Sequence, residues 1–141
     1  MSEIICIHQD DYDEEALYRA VKRQFEYLGV EQDLKPGMKV LLKPNLLMKR
    51  RPEEFTTTHP VVAGAVIRVL KEQGITDIVI ADSPGGPYTK PLLSGIYRAA
   101  GFTGLALRYG ITVNEETGYR EKTRMENSLC KQFYLIAVSY T

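Results

Sequence analysis

Val40-Leu41-Leu42-Lys43-Pro44-Asn45 sets an apolar run against a polar stop. Residues 39–42 read as a strand, and Pro44 cannot donate to a sheet ladder, so the chain must leave the sheet there. The same grammar returns in Ile78-Val79-Ile80-Ala81, followed by Asp82-Ser83-Pro84-Gly85-Gly86-Pro87. Between the two, Thr56-Thr57-Thr58-His59-Pro60 precedes the apolar stripe Val61, Val62, Ala65, Val66, Val69 and Leu70. That stripe has helical spacing, and proline suits the first helical position because its missing N–H costs nothing there. A strand, a helix and a second strand of these lengths form a βαβ unit with parallel strands.

The remaining segments extend the pattern. Residues 4–8 (Ile-Ile-Cys-Ile-His) read as a buried strand. A first helix follows, capped by Asp13, with acids in its first turn and Gly29 at its end. Thr89 opens a helix that buries Leu92, Leu93, Ile96, Tyr97 and Ala100, and Gly101 ends it. A short helix is expected over residues 103–108 and a strand over 111–113. A polar loop or hairpin connection should span 118–127, with a strongly apolar strand over 132–138. The expected fold is α/β: three-layer α/β/α and Rossmann-like, with a mostly parallel sheet and helices on both faces.

Composition narrows the function classes. The chain of 141 residues reads as a single domain, residues 1–141. Lys and Arg number 18 and Asp and Glu number 18, so nothing global argues for nucleic acid or a membrane as partner. There is no membrane-length apolar run and no signal peptide pattern, so a cytoplasmic location is the default. Cys6 and Cys130 lie far apart in apolar segments and read as buried thiols. Two thiols cannot supply the four ligands of an iron–sulfur cluster, so no such cofactor is expected within this chain, and no metal site is expected. The chain stops three residues after the apolar run 132–138. That strand should therefore lie inside the sheet or pair across an interface with a second copy or another protein; otherwise the chain is a piece of something longer.

In open α/β sheets, ligands bind outside the carboxyl ends of the strands. Lys43 and Asn45 fall there and suit a carboxylate or phosphate. Asp82 and Ser83 follow the next strand, and Gly85 and Gly86 permit close approach of the backbone to a ligand. Thr58 and His59 stand at a helix start. Either they cap it, or His59 serves with Asp82 as an acid/base pair. The basic run Lys49-Arg50-Arg51 is followed by Glu53 and Glu54 and reads as a partly self-neutralised loop. His8 reads as structural. There is no Walker A loop and no G-x-G-x-x-G motif.

Residues 40–46, Thr57-Thr58-His59-Pro60 and residues 80–86 together resemble the domain-of-unknown-function 362 family, in order and spacing over residues 3–137. The resemblance implies an α/β domain and a redox association, because many members carry a ferredoxin-like iron–sulfur module after this domain. No such module is present in this sequence, and the family carries no established catalytic roles. Two functions stay open. One is a small-molecule enzyme, or its substrate-binding half, acting on an anionic metabolite bound by Lys43, Asn45, Thr58, Ser83, Gly85 and Gly86. The other is a non-catalytic domain that docks an electron-transfer or iron–sulfur partner.

Overall fold

The computed structural model describes residues 3–123 and 132–136, with side-chain burial through Tyr119. Four helices and a three-stranded parallel sheet form an α/β fold. The helices are α1 (Glu14–Leu28), α2 (Pro60–Glu72), α3 (Lys90–Ala99) and α4 (Phe102–Tyr109). Strands β1 (Lys39–Leu42), β2 (Asp77–Ile80) and β3 (Thr112–Val113) pair in the order β1-β2-β3, with Leu42 opposite Ile80 and Ile80 opposite Val113. Strands β4 (Tyr119–Thr123) and β5 (Gln132–Ile136) form a separate antiparallel pair.

Local chemistry sets the helix ends. The Asp13 side chain accepts from the Ala16 N–H at 2.8 Å, and α1 closes at Gly29 with φ 67°. Pro60 occupies the start of α2 as expected, and the capping residue before it is His59. Thr89 stands at the start of α3, but its hydroxyl makes no capping bond.

Both crossovers step the same way across the sheet, β1 to β2 through α2 and β2 to β3 through α3 and α4. Right-handed connections stepping in one direction put their helices on one face. The core shows this. Ile78 and Ile80 pack with Ile67 and Leu70 of α2, Ile96 and Tyr97 of α3, and Phe102 of α4. The alternate positions Lys39, Leu41, Asp77, Val79 and Thr112 point the other way, and among the described residues they are exposed or half-covered. Helix α1 docks on α2 through Val21, Ala65 and Val69.

The amino-terminal segment departs from expectation. Residues 4–8 form no strand; Ile4 is 85% exposed and Cys6 is exposed. Ile5 and Ile7 are half-buried, and Ile7 lies with Ala16 and Ala20 along a shallow depression on α1. An apolar period of two marks extended backbone but does not name a partner, and here the partner is a helix rather than the sheet edge. The apolar carboxyl-terminal strand does not take one of the places expected for it, inside the parallel sheet; within the chain it pairs with β4. The hairpin alternative for the 118–127 stretch agrees with β4. Residues 124–131, Cys130 among them, and residues 137–138 lie outside the described residues.

Phe102 is fully buried and Leu107, on the same helix, is 80% exposed. Phe102→Ala should cost about 3–5 kcal/mol, through lost burial and the cavity left behind. Leu107→Ala should stay within about 0.5 kcal/mol. Urea denaturation of both variants measures the contrast, and similar losses would mean that α4 does not face the core as described.

Candidate functional site

The ends of β1 and β2 meet at Asp82. Its carboxylate is almost wholly buried, a placement that requires partners. Lys43 Nζ donates to Oδ1 at 2.7 Å and the Leu46 N–H donates to Oδ2 at 2.9 Å. The Asp82 N–H donates to the hydroxyl of Tyr97 at 3.0 Å. Burial pushes the Tyr97 phenol up to about 12, so it stays neutral as that acceptor. Lys43 is the opposite of its partner: its side chain is 67% exposed against 3% for Asp82. The pair therefore presents an ammonium at the surface, anchored from beneath. Exposure discounts its worth to stability to about 1 kcal/mol or less.

The loop after β1 is pinned at three points. Leu46 is fully buried in the core. The Asn45 N–H donates to Thr58 Oγ1 at 2.9 Å and the Thr58 N–H donates to the Asn45 carbonyl at 2.8 Å. The Gly85 N–H donates to the Leu47 carbonyl at 2.7 Å. A Cβ at Gly85 would stand 3.4 Å from that oxygen, so the close approach made here is backbone to backbone. Gly85 thus ties the two carboxyl-end loops together and has no N–H left for an anion. Gly86 holds φ 100°, a conformation that favours glycine. The side chains of Asn45 and Ser83 are exposed.

His59 belongs to a different network. It accepts from the Val61 N–H at Nδ1, 3.3 Å, and stacks on Tyr12 with ring centroids 3.7 Å apart. Accepting at Nδ1 leaves the proton on Nε2. Burial holds its pKa below the usual imidazole range, against a smaller upward pull from Glu53. Lys43 is thus bonded to Asp82 and Asn45 to Thr58, two pairs linked along the chain by Leu46, and Gly85 is tied in through Leu47. His59 adjoins them through Thr58 but makes no hydrogen bond to Asp82. Elsewhere Arg50 pairs with Glu54 at 3.0 Å and His8 with Asp10 at 2.7 Å, so the basic loop is partly neutralised and His8 is exposed.

Asn114 was not anticipated. It follows β3, its N–H donates to the Ile80 carbonyl at 2.8 Å, and it is 5% exposed. Its Oδ1 accepts from the Glu116 N–H at 3.3 Å, while its Nδ2 and the buried Thr57 Oγ1 have no partner among the described residues. The available signal was positional, a polar residue next after a strand end, but a two-residue strand makes a faint marker. Among the described residues, no three His, Cys, Asp or Glu side chains gather as a metal site. Two cysteines in the chain, one of them exposed Cys6, do not fit an iron–sulfur cluster.

A parallel βαβ sheet with polar groups after its strands defines an α/β fold. The model of the family described as domain of unknown function (DUF362) matches residues 40–140, and the chain belongs to that family. It is also 35% identical over 72 residues to the Thylakoid-associated protein sll1697 of Synechocystis sp., a match covering 50% of this chain and 22% of that protein. The chain thus spans about a fifth of the length of this curated relative. No solved structure matches. No helix among the described residues is long and apolar enough to cross a membrane.

Because His59 titrates below its unfolded value near 6.5, the unfolded chain binds more protons between the two values. Stability from this residue is fully present above about pH 6.5 and is lost as pH falls through the folded pKa. Protonation also removes the Nδ1 acceptor from Val61. His59→Asn keeps a capping side chain and should flatten stability between about pH 7 and 5. An equally steep decline in the variant would assign the dependence to other groups.

Proposed function

We propose that this chain binds an anionic small molecule at the carboxyl ends of its parallel strands. The observation that carries this reading is the polar row Lys43, Asp82 and Asn114 at the ends of three adjacent strands. Asp82 and Asn114 are buried and Lys43 is exposed. Asp82 spends both oxygens on Lys43 and Leu46, so its role is to orient the ammonium. Lys43 keeps further N–H donors for a carboxylate or phosphate oxygen, and the exposed Asn45 amide stands two residues on. The Asn114 amide, which has no partner among the described residues, is a second pointer. A buried donor left unpaired costs about 1–3 kcal/mol, and water or a ligand oxygen relieves it. Ser83 and Gly86 shape the opposite rim. Balanced charge favours a small molecule over nucleic acid, and a cytoplasmic location accords with it. A catalytic part for His59 belongs to this reading through its free Nε2–H. A place within a redox-associated enzyme rests on the resemblance alone.

A second reading has its own support. Leu47, Met48 and Phe55 are 48%, 51% and 77% exposed in the segment after β1, and apolar side chains left in solvent are candidates for a docking surface. A protein partner of electron-transfer type would cover them.

Titration of ¹⁵N-labelled chain with inorganic phosphate, and separately with malonate, distinguishes the two. The first reading predicts saturable shifts at residues 43–46, 82–86 and 114. Lys43→Ala should weaken binding about tenfold, near 1.4 kcal/mol, and Arg50→Ala should leave it unchanged. Shifts confined to other regions, or no loss in Lys43→Ala, would reject it. Retention of both anions with Phe55→Ser would count against a site built on the apolar loop.

A further inference from the structure

A half-open cavity of about 250 Å³ lies between α1, α2 and α4, on surfaces the crevice does not use. Three glycines border it: Gly64, Gly101 at the start of α4, and Gly104. Gly64 has a packing reason, because a Cβ there would stand 3.2 Å from Leu105 Cδ1. Gly104 has none: a Cβ would meet nothing within 4 Å. Yet Gly104 sits inside the first turn of α4, where glycine weakens a helix relative to almost every other residue. What its missing side chain preserves is open space at the cavity.

The lining also carries a specific chemistry. Tyr18 and Tyr109 contribute aromatic surface, and Arg68 and Arg108 contribute guanidinium groups. Each guanidinium is matched by a carboxylate of α1, Arg108 by Glu14 and Arg68 by Glu15, so the arginines act here as oriented donors rather than as excess charge. Both cations are held in place by α1 before any ligand arrives. Arg108 grips Glu14 with both terminal nitrogens, at 2.7 and 2.8 Å. Arg68 pairs with Glu15 and lies over the Tyr18 ring, 3.7 Å from its centroid. Two of the five donors of Arg108 are directed at Glu14, and the others remain for a second anion.

We propose that this cavity is a binding site for a small aromatic carboxylate. An apolar cavity of about 150 Å³ takes up one benzene, so the volume here admits a one- or two-ring compound. Its ring lies against the tyrosines and its carboxylate meets Arg108. The site is independent of the crevice at the strand ends, and neither reading depends on the other.

The test uses 1-naphthoate as probe and neutral 1-naphthol as comparator, followed by amide shifts and calorimetry on the full chain. Naphthoate should bind saturably at millimolar concentration or below, shift α2 and α4 amides, and outcompete naphthol. Gly104→Leu should weaken it at least tenfold. Gly104→Ala, which fills less space, should raise the melting temperature and weaken binding less. Arg108→Gln should abolish the preference for naphthoate over naphthol while leaving naphthol binding unchanged. Unaltered naphthoate affinity in both Gly104→Leu and Arg108→Gln would overturn the proposal. So would equal affinity for the two probes in the unaltered chain, or the absence of saturable shifts in α2 and α4.

Discussion

Everything at the carboxyl edge of the sheet depends on one buried carboxylate. Asp82 follows β2 after Ala81 and is buried, with Leu46 and Tyr97 beside it. A charge in such a place is tolerable only with hydrogen-bonded partners, and the partners come from the neighbouring strand's loop. Lys43 and the Leu46 N–H are both on the segment after β1, so satisfying Asp82 brings that segment against the end of β2. Leu46 then enters the core, and Thr58 and Gly85 close the remaining backbone groups. The result is a loop with little regular structure that is nevertheless held at fixed points, which suits a binding surface on a rigid scaffold.

The sheet adds a second constraint. Its strand order β1-β2-β3 has no reversal, so α2, α3 and α4 share one face and one core. Doubly wound folds bind at the point where strand order reverses. Among the described residues there is no reversal, and the polar carboxyl edge is instead shaped by the loops after β1 and β2. This is why the tie between Gly85 and Leu47 matters: it joins the two loops that a reversal would otherwise splay apart.

Much of the fold was legible because its signals are local. Asp13 and Gly29 bound α1 by capping chemistry, Pro60 starts α2, and Gly74 with φ 78° follows it. Lys43, Asn45, Thr58 and Asp82 were legible as strand-end and helix-start residues, and the structure pairs Lys43 with Asp82 and Asn45 with Thr58. The pairing among them was not, because which carboxylate takes which ammonium is decided by tertiary approach. Residues 4–8 misled because alternation is the same whether an extended segment lies on a sheet or a helix. The inward position of Tyr97 followed from its helical stripe, but its hydroxyl's partner is a backbone N–H fifteen residues back, which no periodicity encodes. The bond of Gly85 to Leu47 hid for the same reason, since a Gly-Gly pair in a turn reads equally as a place for a ligand.

The Asp82 carboxylate holds the loop after β1 through the Leu46 N–H, and amide hydrogen exchange at Leu46 measures that hold. The Leu46 N–H should exchange slowly in the unaltered chain. In Asp82→Ala it should exchange at least about fivefold faster, as expected when a buried bond worth about 1–3 kcal/mol is lost. The increase should exceed that at Ile67, buried in α2, which reports any global loss of stability. A Leu46 amide whose protection falls only in step with Ile67, or not at all, would contradict the account.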